Sequence, residues 1–167
     1  NNSATGSFSI RVRDFAAGLI TQPLSPIDSG AVIIPKALVY NYGTADITND
    51  TVTLSIDNTQ YSNSKIISLS TGDSVEVVFD TFVLNIPRAN YTMRCLTSMT
   101  GDMVSANNLS LKLIRIRVSD AGVTQIISPI GLINVTSPVV PRVRIKNFGT
   151  EDNETCSVTF KIGSIYT

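Results

Sequence analysis

Asn41-Tyr42-Gly43-Thr44 returns 106 residues later as Asn147-Phe148-Gly149-Thr150. Asparagine and glycine between two apolar runs are typical of a turn that joins two strands. The same offset aligns Val52-Thr53 with Val158-Thr159, and no gap is needed between residues 1 and 56. A fixed period indicates repeated structural units, so it bears on architecture before any single motif does.

The offset divides the sequence into three parts. Residues 1–13 are predicted to be the last strand of a preceding repeat, residues 14–119 a complete repeat, and residues 120–167 the first half of a further repeat. One period of 106 residues is close to the usual size of a domain.

Alternation of apolar and polar residues predicts β-strands along the whole sequence. Val52-Thr53-Leu54-Ser55-Ile56 has this period of two, and seven prolines disfavour helices. Seven short strands separated by turns predict an all-β fold, an immunoglobulin-like antiparallel β-sandwich in tandem repeat. The predicted strands of the complete repeat lie near residues 17–24, 31–41, 50–57, 61–69, 74–83, 90–98 and 109–118.

The predicted core consists of the apolar residues on one face of each strand. The sequence does not decide between Ile33 and Ile34, and Ile34 is placed inward provisionally. The residues expected to face inward are Ile20, Val32, Ile34, Leu38, Tyr40, Val52, Leu54, Ile56, Ile67, Leu69, Val75, Val77, Phe79, Tyr91, Met93, Cys95, Leu113 and Ile116.

Composition argues against several classes of function. Thirteen basic and thirteen acidic residues give a formal net charge of zero, which disfavours nucleic acid or an anionic membrane surface as a partner. No apolar run approaches the roughly 20 residues of a membrane helix, so no membrane insertion is expected. The sequence contains no histidine, which excludes Ser-His-Asp and Cys-His catalytic arrangements within it. We therefore expect no enzyme, no cofactor and no metal site.

Two cysteines, Cys95 and Cys156, do not align with each other under the offset, because Cys156 aligns with Asp50. One interpretation is a disulfide whose partner lies outside the chain, in the remainder of the same repeat or in another subunit. The other is that both cysteines are small buried apolar residues.

Six Asn-x-Ser/Thr sequons are candidate glycosylation sites, with ordinary turn residues as the alternative interpretation. They begin at Asn1, Asn49, Asn90, Asn108, Asn134 and Asn153.

Charged residues are expected to be solvated rather than functional. The acidic residues near the second turn of each copy lack the spacing of a calcium loop, and Asp73 and Asp102 are interpreted as turn residues. The acidic group consists of Asp46, Asp50, Asp152 and Glu154. Basic residues at alternate strand positions are expected to solvate the outer sheet face and to protect strand edges from pairing. These are Arg11, Arg13, Lys112, Arg115, Arg117, Arg142, Arg144 and Lys146.

The repeats resemble CARDB-type modules, the cell-adhesion-related domains of bacteria. The resemblance rests on the opening Asp120-Ala121-Gly122-Val123, on Val143 through the Asn-Phe-Gly-Thr turn, and on Tyr91-Thr92-Met93-Arg94-Cys95. The first copy departs from the pattern at Asp14-Phe15-Ala16-Ala17-Gly18. The resemblance implies a tandem array in a secreted bacterial or archaeal surface or filament protein. Such modules serve as spacers, stalks and adhesive subunits.

The leading functional hypothesis is a structural or assembly module of an extracellular, repeat-built rod or filament. Its partners would be copies of itself or adjoining repeats of the same polypeptide. In one version, Ser7, Ile10 and Val12 form an assembly strand that adds to the open sheet of a neighbouring subunit. The alternatives are a module that binds surface glycans or proteins, and a non-catalytic appendage of a secreted hydrolase. A glycan-binding module would show an aromatic cluster on one sheet face.

Overall fold

Strands form in almost every segment where the sequence alternates. A computed structural model describes residues 2–86, 90–133, 136, 138–152 and 155–163, and the chain divides into two compact units, residues 1–116 and 117–167. The strands of the first unit are β1 (Phe15–Gln22), β2 (Ile27–Asp28), β3 (Val32–Ile33), β4 (Lys36–Asn41), β5 (Ile47–Ile56), β6 (Ser62–Leu69), β7 (Ser74–Val78), β8 (Phe82–Val83), β9 (Asn90–Ser98) and β10 (Leu109–Arg117). A 3₁₀ turn, Ser105–Asn107, precedes β10.

The first unit is an antiparallel sandwich, which confirms the predicted immunoglobulin-like fold class. One sheet has the order β1-β4-β7, and the other has the order β2-β10-β9-β5-β6. A small third pair joins β3 to β8. Apolar faces that must leave water bring the two sheets together, as in other β-sandwiches.

The core lies between the two larger sheets and is built from alternate residues. Val52, Leu54 and Ile56 of β5 are at most 1% exposed, and Met93 and Cys95 of β9 are fully buried. Leu54 lies opposite Cys95 in the register of β5 and β9. These strands behave as the sequence predicted because each keeps a strict period of two over its whole length.

In β4 and the turn before it, the predicted face is wrong. Ile33 is 5% exposed, and Ala37 and Val39 are fully buried. Val32 and Ile34 are therefore exposed, and Tyr40 lies on the outer face. The consecutive apolar residues of this segment carry no alternation, so the sequence could not decide which face turns inward.

In β10 and β7 the phase also differs from the prediction at single positions. Ile114 is fully buried whereas Leu113 is 63% exposed, and Val75 is 38% exposed. Lys112 shares the inward phase of Ile114 and donates a hydrogen bond from Nζ to the Ile20 carbonyl, 3.0 Å away. Burial lowers the pKa of Lys112, which therefore does not solvate the outer face as predicted.

Residues 2–14 contain no strand in the structure. Their last residues instead run as an irregular segment into β1 and hydrogen-bond to the turn that follows β4. The prediction of a final strand for residues 1–13 concerned a preceding repeat, whose other strands are not part of this sequence.

The second unit is described by a two-stranded antiparallel sheet of β11 (Ala121–Ser128) and β12 (Arg142–Asn147). Several of its apolar residues are exposed, including Ile126 at 53% and Ile145 at 46%. Their equivalents under the 106-residue offset are Ile20 and Val39, which are at most 1% exposed. The same positions are thus apolar in both units but covered only in the first.

The phase of β10 can be tested with a pair of neighbouring substitutions. Ile114→Ala removes buried methyl and methylene groups and should lower the free energy of unfolding by about 2–5 kcal/mol. Leu113→Ala changes an exposed side chain and should lie within about 0.5 kcal/mol of the unsubstituted protein. Urea denaturation of both variants measures the difference, and equal losses of stability would show that the phase is wrong.

Candidate functional site

The turn after β4 is built around a buried asparagine. Asn41 is 1% exposed, and its Oδ1 accepts a hydrogen bond of 3.0 Å from the Gly43 N–H. Its Nδ2 donates to the carbonyls of Ala45 and Leu69, at 2.9 and 3.1 Å. Since a buried amide is costly unless its polar atoms are paired, this position requires asparagine. We call residues 41–44 the first glycine turn and residues 147–150 the second glycine turn.

The first glycine turn holds residues 10–14, which we call the first lead-in segment. The Thr44 N–H donates to the Val12 carbonyl at 2.9 Å, and the Val12 N–H donates to Thr44 Oγ1 at 2.8 Å. Thr44 Oγ1 also donates to the Ile10 carbonyl at 3.0 Å. The Tyr42 N–H donates to the Asp14 carbonyl at 3.1 Å. Four hydrogen bonds thus fix the direction in which the chain enters β1.

Glycine is required at the third position of this turn because of the close approach of the lead-in segment. A Cβ on Gly43 would lie 2.5 Å from the Val12 carbonyl oxygen and 3.0 Å from the Asp14 nitrogen. The restriction is steric rather than conformational, because any side chain would displace the backbone that the turn holds.

The second glycine turn makes the same contacts with residues 118–120, the second lead-in segment. Asn147 Oδ1 accepts from the Gly149 N–H at 2.7 Å, and its Nδ2 donates to the Glu151 carbonyl at 2.7 Å. Thr150 exchanges backbone and side-chain hydrogen bonds with Val118 at 2.8 and 3.0 Å. The repeat seen in sequence therefore corresponds, at this place, to a repeated hydrogen-bond arrangement.

A second set of hydrogen bonds, which the sequence analysis missed, holds the start of β1 from the opposite side. The Phe15 N–H donates to Asp102 Oδ2 at 3.1 Å, and Asn107 Nδ2 donates to Asp14 Oδ1 at 2.8 Å. Asn108 fits the same cluster when its amide nitrogen faces the Phe15 carbonyl and Asn107 Oδ1, each 3.0 Å away. Asp102 is thus more than the turn residue that was predicted, although its sequence context, Gly101-Asp102, gave no other signal.

Acidic side chains around the first glycine turn are engaged locally. Asp46 Oδ1 accepts hydrogen bonds from the N–H and hydroxyl of Thr71, at 2.9 and 3.3 Å. It borders an open, polar cleft of about 600 Å³ between Ser9–Arg11 and the turn. Within the described residues, His, Cys, Asp and Glu form no group of three that could hold a metal ion. Glu154 lies outside the described residues.

The cysteines occupy opposite environments, and neither is paired. Cys95 is fully buried, and burial raises its pKa to about 11. Cys156 is exposed. In the first unit, the position equivalent to Cys156 is Asp50, four residues along β5 from Leu54, the partner of Cys95. At about 3.3 Å per residue this separation is about 13 Å, which is too long for a disulfide within one unit of this register.

The candidate glycosylation sites differ in accessibility. Asn49 and Asn90 are exposed, whereas Asn108 is partly buried in the cluster that holds β1. Asn1, Asn134 and Asn153 lie outside the described residues. Glycosylation of the two exposed asparagines stays a prediction.

The candidate assembly strand is only partly free. Ser7 is exposed and Ile10 is 66% exposed, but Val12 is held by both its backbone groups at the first glycine turn. Its carboxyl-terminal end therefore serves the first unit itself.

Together, the sandwich and the glycine turn define an immunoglobulin-like module of the CARDB fold. The chain is similar in structure to the CARDB domain of a Pyrococcus furiosus protein, with a TM-score of 0.55 and 14% identity over 64% of this chain and 97% of that one. It is also similar to a domain of a Methanosarcina acetivorans protein classed as a cell surface protein, with a TM-score of 0.52 and 21% identity over 63% and 92% of the two chains. These likenesses establish the fold, and each covers about one repeat period of this chain.

No protein-family model and no curated protein matches the sequence. Among the described residues, no helix is long and apolar enough to cross a membrane.

The role of the glycine turn can be tested at Thr44. Thr44→Val removes the acceptor of the Val12 N–H and should raise the hydrogen-exchange rate of that amide towards the unprotected rate. The loss of the hydroxyl should cost about 1 kcal/mol of stability. Thr44→Ser keeps the hydroxyl and serves as the control. Equal protection of the Val12 amide in the two variants would contradict the assigned contact.

The cysteines can be distinguished by their reaction with a thiol reagent. In the native chain, Cys156 should react rapidly, whereas Cys95 should react only after unfolding in urea because it is buried and protonated. Cys156→Ser should leave no thiol that reacts in the folded state. A rapidly reacting thiol in that variant, or a native disulfide, would refute this assignment.

Proposed function

We propose that this chain is a structural module of an extracellular, repeat-built surface protein and that it has no catalytic activity of its own. The observation that carries the proposal is the hydrogen-bonded connection between the units. Only residues 118–120 separate the end of β10 at Arg117 from the start of β11 at Ala121. Two of those three residues, Val118 and Asp120, hydrogen-bond to the second glycine turn.

A connection of this kind favours spacing over free movement. Long, unbound linkers behave as flexible coils, whereas a short linker held by hydrogen bonds loses most of its freedom. A structural array of such modules would therefore transmit position along its length. The surface location is supported by the similarity to the Methanosarcina acetivorans domain and by a composition with few charges and no histidine.

We further propose that strands equivalent to β6–β10 complete the second unit and that an adjoining part of the same array supplies them. The support is the exposure of apolar residues whose equivalents are buried in the first unit. Val158 and Ile162 are 41% and 43% exposed, whereas Val52 and Ile56 are at most 1% exposed. Exposed rows of this kind are usually covered in a native assembly.

The stiffness of the connection can be measured by ¹⁵N relaxation of the whole chain. Residues 118–120 should show heteronuclear NOE values as high as those of β11, because the second glycine turn fixes them. Thr150→Val should lower those values, and Thr150→Ser should preserve them. Low values at residues 118–120 in the unsubstituted chain would indicate a flexible tether and would overturn the spacer function.

A further inference from the structure

Two tyrosines form an exposed stack on the outer face of the β1-β4-β7 sheet. The ring centroids of Tyr40 and Tyr42 are 5.2 Å apart, and the ring planes differ by 5°. Tyr42 is 61% exposed. Because Tyr40 covers one face of the Tyr42 ring, this exposure must come from the ring edges and the opposite face.

The backbone of the neighbouring strand holds the stack in place. Gly18 of β1 lies against the edge of the Tyr40 ring, and a Cβ at Gly18 would collide with that ring. Tyr40 lies opposite Ala16 on one side and Ser74 on the other. Small residues on both flanking strands leave room for the aromatic ring, so the position of Tyr42 is fixed before any ligand arrives.

Polar groups lie on the same sheet face beside the tyrosines. Glu76 accepts hydrogen bonds from Thr21 Oγ1 at 2.7 Å and from Lys36 Nζ at 3.2 Å. These bonds hold the pKa of Glu76 below its usual range, so it stays a carboxylate acceptor. Since Lys36 and Glu76 compensate each other, this group carries no net charge and favours a neutral ligand over a polyanion.

The equivalent face of the second unit has different chemistry. The offset aligns Tyr40 with Lys146 and Tyr42 with Phe148. Lys146 Nζ lies 4.9 Å from the centre of the Phe148 ring, a cation–π contact. A stacked pair at these positions is therefore part of the scaffold, but the pair of tyrosines belongs to the first unit alone among the described residues.

We propose that the Tyr40–Tyr42 stack is a binding site for a neutral glycan, one pyranose ring of which packs against Tyr42. The C–H groups of a pyranose form an apolar face that suits an exposed aromatic ring, while its hydroxyls need polar partners. Tyrosine hydroxyls, Ser74 and Glu76 provide donors and acceptors on the same sheet face. The site adds ligand binding to the structural function and is independent of it.

The test measures binding of the whole chain to maltohexaose, cellohexaose and chitohexaose by isothermal titration calorimetry. The proposal predicts binding to at least one of these neutral oligosaccharides, with a loss of about tenfold or more in affinity in Tyr42→Ala. Because the chain contains no tryptophan, quenching of tyrosine fluorescence gives a second readout.

A double variant provides the matched control. Tyr40→Lys combined with Tyr42→Phe installs the Lys146–Phe148 pair of the second unit on the first. It should unfold at an unchanged urea midpoint and yet lose the affinity for glycan. Phe8→Ala changes an aromatic residue that is 87% exposed elsewhere, and it should bind like the unsubstituted chain.

Two outcomes would overturn the proposal. The first is no binding of any of the three oligosaccharides at millimolar concentration. The second is binding that both Tyr42→Ala and the double variant retain, which would place the glycan elsewhere on the surface.

Discussion

The hydrogen bonds between each glycine turn and its lead-in segment are the constraint on which the rest of the structure depends. They place the first strand of the unit beside the fourth, because the turn that ends β4 also receives the chain that begins β1. Asn41 satisfies the turn from within, and Gly43 makes room for Val12. A buried asparagine that lost one partner would retain the cost of its desolvation, so the arrangement tolerates little change.

Much of the fold could be predicted from the sequence, since the period of two is strict in β5 and β9. The prediction failed where apolar residues follow one another, as at Ile33-Ile34 and Leu113-Ile114. In such runs both faces are apolar, and only packing against the opposite sheet decides which residue is buried. The glycine turn was predicted as a turn, but its grip on residues 10–14 joins positions about thirty residues apart, and no local pattern reports such a contact.

The two units show how one scaffold can present different surfaces. At the glycine turn their backbone contacts agree, whereas on the neighbouring sheet face Tyr40 and Tyr42 stand where Lys146 and Phe148 stand in the second unit. Inward positions are limited by packing density, while outward positions can change chemistry at little cost to stability. A repeat-built surface protein could thus combine uniform spacing with a site confined to chosen units.

The most direct test of the repeated turn is the detection of scalar couplings through its hydrogen bonds by long-range HNCO spectroscopy. The account predicts a correlation from the Thr44 nitrogen to the Val12 carbonyl carbon, and a second from the Thr150 nitrogen to the Val118 carbonyl carbon. Both should be comparable in size to those of paired residues in β5 and β9. If strand correlations are observed and either of these two is absent, the proposed common basis of the two units is contradicted.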